Sequence, residues 1–109
     1  MFARILEFTP KFEKKEELIK TVRLEVLPIL KKQPGFLELL PFVPEIKNEK
    51  VIAITLWTEK YEAEKYVKEV FPKVEQIVKP YLTTPFEVKM YSVETSICQH
   101  LVETLTQVA

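Results

Sequence analysis

The alternation of apolar and polar residues predicts four β-strands and two helical regions. The strongest signal is the run 50–57, in which seven of eight residues are apolar or β-branched. A short continuous apolar run of this kind is typical of a strand that is covered on both faces. The run ends at the only tryptophan of the chain, where a helical pattern begins a few residues later. Strand ends that face helices are common places for small-molecule pockets.

Three further segments read as strands. Residues 2–9 alternate between two faces, and residues 84–93 do the same near the end of the chain. Residues 36–43 contain Pro41. Because proline cannot donate a hydrogen bond to a neighbouring strand, this segment is expected at a sheet edge or at a bulge.

Apolar residues recur at helical spacing over residues 12–33 and again between residues 58 and 80. Pro28 lies inside the first pattern and should kink the helix or restart it. Pro72 interrupts the second pattern and is expected to open a further helical turn. Gly35, the only glycine, follows the first helix and predicts a left-handed cap or a tight turn.

The predicted order is β-α-β-β-α-β. Right-handed crossovers and one hairpin fold this order into an α+β, ferredoxin-like domain, a four-stranded antiparallel sheet with helices on one face. Ile5, Ile52 and Ile54 cannot share one sheet face with all of their apolar neighbours, so both faces are expected to be buried. A second copy of the chain is the simplest cover for the face without helices, because an exposed apolar sheet invites aggregation.

Composition narrows the function classes. A chain of 109 residues makes one domain, and 47% hydrophobic residues exceed what one small core needs. The 16 basic and 16 acidic residues cancel, which argues against nucleic acid or an anionic membrane as partner. One His and one Cys cannot form a usual metal site. No apolar run approaches the ~18 residues of a membrane span, and early charges leave no room for a signal peptide. We therefore expect a cytoplasmic protein.

The last residues form a separate segment. We expect a domain over residues 1–93 and an extension over residues 94–109. The extension fits a helix through Ile97, Leu101, Val102 and Leu105, although several of its apolar residues also fit the two-residue period of a strand. The helix, packed on the domain or on a partner, is the favoured interpretation.

Three segments together point to a family. They are the Ala-Arg pair at residues 3–4, residues 23–36 with their Gln-Pro-Gly-Phe turn, and residues 52–57 with the terminal Trp. Over roughly residues 2–93 the chain resembles the antibiotic biosynthesis monooxygenase-like domains of the dimeric α/β-barrel superfamily. The resemblance implies a homodimer whose sheets face each other as a barrel, with a pocket in each subunit between sheet and helices. Some members oxidise aromatic polyketides without metal or flavin, relatives degrade haem, and many have no assigned activity.

The chain departs from the haem-degrading relatives. Those proteins resemble one another in an Asn on the first strand, a Trp, and a His on the second helix. Trp57 is present here, but the first strand contains no Asn and residues 60–79 contain no His. Haem degradation is therefore not expected, and the resemblance implies no cofactor.

Aromatic and basic side chains are the candidates for a substrate pocket. Trp57 would stack on a planar substrate, or it simply joins strand to helix. Tyrosines would donate hydrogen bonds to a phenol or a quinone, or they only pack in the core. The complete set of candidates is Arg4, Arg23, Trp57, Tyr66, Phe71 and Tyr81.

The two arginines supply the electrostatic part of this hypothesis. A guanidinium in a dry pocket stabilises an anionic or enolate oxygen. Alternatively, Arg4 and Arg23 pair with a nearby carboxylate, such as that of Glu7 or Glu25, or they reach solvent.

Three functions remain open at this stage. The first is a monooxygenase-like protein with a hydrophobic pocket for a small aromatic or planar molecule. The second is a ligand-binding barrel without catalysis, and the third is a dimeric interaction module with a filled interior. A cavity between helices and sheet would separate the third function from the other two.

Overall fold

The computed structural model describes residues 1–46, 49–98 and 100. Its four strands form one sheet in the order β2-β3-β1-β4, and every neighbouring pair is antiparallel. This is the predicted α+β, ferredoxin-like arrangement. The strands are β1 Phe2–Phe8, β2 Phe36–Phe42, β3 Val51–Trp57 and β4 Glu87–Ser92.

Two helical regions connect the strands, as predicted. The first runs from residue 15 to residue 31, and the second from residue 60 to residue 81. Among the described residues, no helix has the length and apolar character needed to cross a membrane. The segments are α1 Lys15–Thr21, a π-helical turn Val22–Val26, α2 Leu27–Lys31, α3 Lys60–Glu69, α4 Phe71–Val78 and a 3₁₀ turn Lys79–Tyr81.

Two prolines determine where these helices restart. Pro28 lies in the first turn of α2, and the preceding turn is π-helical, with the N–H of Leu27 bonded to the carbonyl of Val22. Because proline has no N–H, the regular hydrogen-bond ladder is broken at this point, and the wider turn accommodates the break. Pro72 opens α4. Both predicted interruptions are confirmed.

Pro41 and Gly35 also have the predicted roles. Pro41 lies in β2, which is an edge strand, and a register shift follows Phe36 in the same strand. Gly35 has a φ of +80°, a left-handed conformation that side chains disfavour. Its carbonyl accepts a hydrogen bond from the N–H of Thr58 at 2.8 Å. This bond joins the end of the first helical region to the start of the second.

The helices cover one sheet face and enclose the main core. From β1, the side chains on this face are those of Phe2, Arg4, Leu6 and Phe8. Arg4 lies opposite Thr55 of β3 on one side and opposite Met90 of β4 on the other. Trp57, Ala63 and Leu30 lie at the centre of the same core. The sheet thus directs one charged side chain from β1 into an otherwise apolar interior.

The opposite sheet face carries no helix from the described residues. Ile5, Ile52 and Ile54 lie on it together with Leu40, and Phe42 on the same face remains 51% exposed. Ile5 is flanked by Ile54 on one side and by Lys89 on the other. We call this surface the open face. Its centre is apolar and its β4 edge is charged.

The structure covers only the start of the extension predicted over residues 94–109. A 3₁₀ turn, Thr95–Ile97, follows β4. Val93 packs with Ala3 and Leu56 on the open face, and its N–H donates to the carbonyl of Met1 at 3.0 Å. Residues 99 and 101–109, over which a helix is predicted, lie outside the described residues.

Candidate functional site

A small cavity lies between the sheet and the helices. Its volume is about 70 Å³. Its walls come from β1, β2, β3, both helical regions and the segment before β4, and nearly all of them are apolar. Within the part of the chain that the structure describes, the only polar side chains in the wall are those of Arg4, Thr55 and Tyr66. The cavity is therefore a largely apolar chamber with one cation, one phenol and one hydroxyl.

Arg4 is the charged group of this chamber. It is only 2% exposed, and its Nε is buried without a hydrogen-bond partner among the described residues. The guanidinium carbon lies 4.0 Å from the centre of the Phe71 ring, which is a cation–π contact. No carboxylate of a described residue is within 4.0 Å of it, so the predicted alternative of an ion pair with Glu7 is not what the described residues show.

The pKa of Arg4 reflects this environment. Burial lowers the pKa of Arg4 below its ordinary value, because removing a cation from water disfavours the charged form. The nearby Tyr66 and the carboxylate of Glu75 act in the opposite direction and raise that pKa. The cation is thus held by weak and distant interactions rather than by a neighbouring anion.

Tyr66 is the second ionisable group in the wall. Burial raises the pKa of Tyr66 to about 12, while Arg4 acts to lower it. At neutral pH the phenol is therefore protonated and can donate a hydrogen bond. Its ring lies 5.0 Å from that of Trp57 and 6.1 Å from that of Phe71. Tyr66 accordingly belongs to an aromatic layer in which the Phe71 ring contacts the guanidinium.

Trp57 lies behind this layer and does not line the cavity. It is fully buried, and its Nε1 donates a hydrogen bond to Thr55 Oγ1 at 2.9 Å. The ring packs edge-on against Phe36 at 5.6 Å and against Tyr66. This is the geometry of a residue that joins β3 to α3. The structure therefore places Trp57 as a packing residue, one layer from the chamber.

Two other candidates lie outside the chamber. Arg23 is exposed on the outer surface of the π-helical turn. Tyr81 is half-buried, and its hydroxyl accepts a hydrogen bond from Thr21 Oγ1 at 3.2 Å. Of the six predicted side chains, the structure brings together Arg4, Tyr66 and Phe71 around the cavity.

Sequence reasoning missed most of the cavity wall, including Thr55, Phe86 and Leu82. Thr55 shares the alternation of β3 with Trp57, so its direction was readable from that two-residue period. Phe86 lies in the segment 84–93 that was predicted as a strand, but it was not assigned to a pocket. Leu82 follows the 3₁₀ turn, and its bridge to Pro10 comes from tertiary pairing that no local pattern signals.

The described residues contain no group of three or more His, Cys, Asp or Glu side chains placed to hold a metal ion.

The fold is shared with several solved structures. SnoaB, a cofactor-independent oxygenase from Streptomyces nogalater, is 15% identical, with a TM-score of 0.69 over 85% of this chain and 92% of that chain. An antibiotic biosynthesis monooxygenase is 16% identical, with a TM-score of 0.68 over 85% and 98%. A conserved protein from Methanosarcina mazei Go1 is 14% identical, with a TM-score of 0.71 over 86% and 94%. No protein-family model and no curated protein sequence matches the chain. At these identities the likeness concerns the fold: the chain has the α+β fold of the antibiotic biosynthesis monooxygenase domain proteins, as its sequence predicted.

Proposed function

We propose that this protein is a monooxygenase-like protein that binds a small aromatic or planar molecule and acts on it without a cofactor. The observation that carries the proposal is the buried guanidinium of Arg4, which lines an apolar cavity without a counter-anion among the described residues. The fold is shared with SnoaB, which is a cofactor-independent oxygenase, and this likeness supports the same class of reaction.

The energetics of Arg4 favour an anionic ligand. A buried charge that lacks a partner is expensive, because its hydration is lost and nothing replaces it. A phenolate or enolate oxygen beside the guanidinium would supply a charge-assisted hydrogen bond, worth about 1.5–3 kcal/mol. The ring of Phe71 already faces the cation. A planar ligand in the same apolar space would add aromatic contacts of the same kind.

The reaction requires few protein groups. A substrate with an acidic CH₂ group next to a carbonyl-conjugated ring system loses one proton to water and becomes an enolate that keeps the second hydrogen on the same carbon. This carbanion is oxidised by O₂, which forms a C–O bond and yields a hydroperoxide after protonation. Loss of water from the hydroperoxide leaves a carbonyl group, so one oxygen atom enters the product and the other leaves as water. Arg4 would stabilise the enolate, and the protonated phenol of Tyr66 would donate to the peroxide oxygen.

A second candidate function is ligand binding without catalysis. It is favoured by the absence of a base among the described residues of the cavity wall, whose only ionisable side chains are Arg4 and Tyr66. Because the pKa of Tyr66 is about 12, this phenol is a donor at neutral pH and does not accept a proton from carbon. A reaction would therefore depend on the acidity of the substrate itself.

The open face supports the proposal of a homodimer. An apolar centre with a charged rim is the usual composition of a subunit interface. Here Ile5 and Ile54 lie at the centre, and the pairs Glu7–Lys89 (3.7 Å) and Lys50–Glu87 (2.8 Å) lie along the β4 edge. A second copy would cover this face and close the two sheets into a barrel. The cavity lies on the other side of the sheet, so each subunit would keep its own chamber.

The test measures oxygen consumption with a panel of anthrones and quinols. Arg4→Met should abolish turnover, because the enolate loses its counter-charge. Arg23→Met removes the same charge from the exposed surface and should leave turnover unchanged. Substrate binding without oxygen consumption in the wild type would establish the binding function instead. Equal turnover in both variants would contradict the role of Arg4.

A further inference from the structure

A surface groove lies next to the cavity and shares a wall with it. The groove has a volume of about 690 Å³ and runs between the end of α4, the segment before β4 and the loop after β1. Leu82 and Phe86 line both the groove and the cavity. These two side chains are therefore all that the two spaces have in common, and we call them the shared wall.

The volumes indicate that the cavity alone does not hold an aromatic substrate. Its 70 Å³ is about half of the 150 Å³ that accommodates benzene in an apolar protein cavity. The groove, at about 690 Å³, falls within the range of about 300–1,000 Å³ that is usual for ligand pockets. A planar molecule of two or more rings would fit only by occupying part of both spaces.

We propose that the groove is the outer half of the substrate site, that Phe86 is the gate between the two halves, and that the substrate is a planar aromatic molecule with a carboxylate at the end remote from Arg4. The inference rests on the proposed function, because it assigns the phenolic or enolic end of the substrate to the cavity. It adds the class of substrate and the route of entry.

Phe86 is the movable side of the shared wall. It is half-buried, with ring contacts to Phe8 at 5.3 Å and to Phe71 at 5.7 Å. It precedes the first residue of β4, so a rotation of its side chain leaves the ladder of that strand intact. Rotation would expose the ring of Phe71, on which the guanidinium of Arg4 lies. The path from groove to cation would then be open.

Leu82, by contrast, is fixed by backbone pairing. It forms an antiparallel bridge with Pro10. On either side of it, the N–H of Thr83 donates to the carbonyl of Thr9 at 2.9 Å, and the N–H of Lys11 donates to the carbonyl of Tyr81 at 2.7 Å. Moving Leu82 would require breaking these bonds between the end of β1 and the segment before β4.

The charges of the groove favour an anionic group. Lys11 and Lys79 line it and are exposed, and neither forms an ion pair with a described residue. Glu75 is the single carboxylate that a described residue contributes to the wall. The groove therefore carries a net charge of one positive, with two ammonium groups free to pair with a ligand carboxylate.

A third depression on the surface is the alternative route by which a substrate could reach the cavity, and it is less suitable than the groove. It has a volume of about 300 Å³ and touches the cavity only through Tyr66. Its wall contains Glu62 and Glu69 but only one cation, Lys65. The net charge is negative, so this side would repel the anion that Arg4 attracts.

The experiment compares two probes that differ by one carboxylate. 2-Naphthol carries only the phenol for the cavity, and 6-hydroxy-2-naphthoate adds a carboxylate at the opposite end. Affinities of both probes are measured by calorimetry with the full chain, and the contact residues are identified by amide chemical-shift changes. We expect 6-hydroxy-2-naphthoate to bind more tightly than 2-naphthol, with shifts at Thr84 and Phe86.

The charge variants test the outer site separately from the inner one. Lys11→Gln with Lys79→Gln should weaken 6-hydroxy-2-naphthoate by about fivefold, as expected for two exposed ion pairs, and leave 2-naphthol unchanged. Lys68→Gln with Lys73→Gln, two exposed lysines outside the groove, should change neither. Arg4→Met should weaken both probes. If the groove lysines have no effect while Arg4 still matters, the outer site is overturned and the proposed function stands. If Arg4 does not matter either, both fail.

The gate is tested by association rates. Phe86→Leu keeps an apolar side chain of smaller size, and it should speed association of both probes about threefold or more, since gating motions limit entry into closed sites. Phe86→Ala opens the wall further but also removes packing, and Phe86→Leu gives a readout if the alanine variant does not fold. Unchanged rates, or shifts at Glu62 and Glu69 instead, would overturn the route through Phe86.

Discussion

Replacing Arg4 with methionine should stabilise the protein while it weakens ligand binding. The guanidinium is buried and has no ion-pair partner among the described residues, and burial lowers its pKa, which means that folding works against the charged form. Methionine has an unbranched, flexible side chain that fills the space occupied by the aliphatic part of Arg4 without carrying a charge. The substitution therefore isolates the energetic effect of the cation.

The magnitude follows from two opposing contributions. Replacing buried ionic groups with apolar side chains of similar size is often stabilising by about 1–4 kcal/mol. The lost cation–π contact with Phe71, at 4.0 Å, offsets about 0.5–2 kcal/mol of that gain. We expect a net increase of about 1–2 kcal/mol in the free energy of unfolding, which corresponds to a rise in Tm of about 4–16 °C for a domain of this size.

Urea and thermal unfolding of wild type and variant at equal protein concentration measure this change. Arg23→Met serves as the matched control, because its guanidinium is exposed, and its free energy of unfolding should stay within about 0.5 kcal/mol of wild type. A loss of more than about 1 kcal/mol in Arg4→Met would refute the reasoning. It would mean that the folded protein already satisfies Arg4, so that no unpaired charge awaits a ligand.

Three further predictions concern the acid–base behaviour, the assembly and the turn at Gly35. Burial raises the pKa of Tyr66 from 10.0 to about 12, so the folded protein keeps a proton that the unfolded chain loses in this window. Stability should therefore be intact below pH 10 and fall by about 2 kcal/mol as the pH rises to 12. Urea titrations should show that Tyr66→Phe lacks this part of the decline. Ile54→Glu puts a charge at the centre of the open face and should convert a dimer to monomers in light scattering. Tyr61→Glu, on the exposed side of α3, should leave the dimer intact. A dimeric Ile54→Glu would reject the open face as the interface. Gly35→Ala should lower the free energy of unfolding by at least about 1–2 kcal/mol because of the left-handed φ. Adding Glu62→Ala should restore only the part of this loss that comes from overlap between the new Cβ and the Glu62 carboxylate. Complete restoration would show that the backbone conformation contributes nothing.

The sheet and its order were predictable because they depend on local rules. Proline is tolerated at a sheet edge or at a bulge, and the predicted β-α-β-β-α-β topology makes β2 an edge strand, which agrees with Pro41. The alternation of β1 places Arg4 on the same face as Phe2 and Leu6, which the helices cover. The charged Arg4 among apolar residues on one face of β1 was thus the feature of the sequence that indicated the site.

The resemblance implied a pocket between sheet and helices, but which side chains line the chamber was not predictable, because the lining depends on how the elements pack against one another. Whether a side chain lines the cavity depends on which side chains the facing helix or strand places against it. Tyr66 lines the cavity, whereas Trp57, which packs directly behind the Tyr66 ring, does not. Arg23 illustrates the opposite case. It follows the inward-facing Val22 by one residue, so the helical period alone directs it outward. Arg23 was chosen as a pocket candidate for its charge and not for its position in the helical period.

Whether this protein catalyses a reaction or only binds depends on where the substrate loses its proton. The cavity wall offers no base among the described residues, so a bound substrate must be acidic enough to ionise into water. A charge-assisted hydrogen bond from Arg4, worth about 1.5–3 kcal/mol more to the anion than to the neutral acid, would lower the pKa of a bound phenol or enol by about 1–2 units. The absorbance of bound 2-naphthol across a pH titration measures this shift, since the naphtholate absorbs at longer wavelength.

We expect the pKa of bound 2-naphthol to fall by about 1–2 units in the wild type and to rise above its solution value in Arg4→Met, where the apolar chamber disfavours the anion. Arg23→Met should reproduce the wild-type titration, because that guanidinium is exposed. A lowered pKa means that the chamber itself provides the enolate that O₂ attacks, and the missing base is then no obstacle to catalysis. An unshifted or raised pKa in the wild type would mean that the chamber holds neutral molecules, and binding would be its whole function.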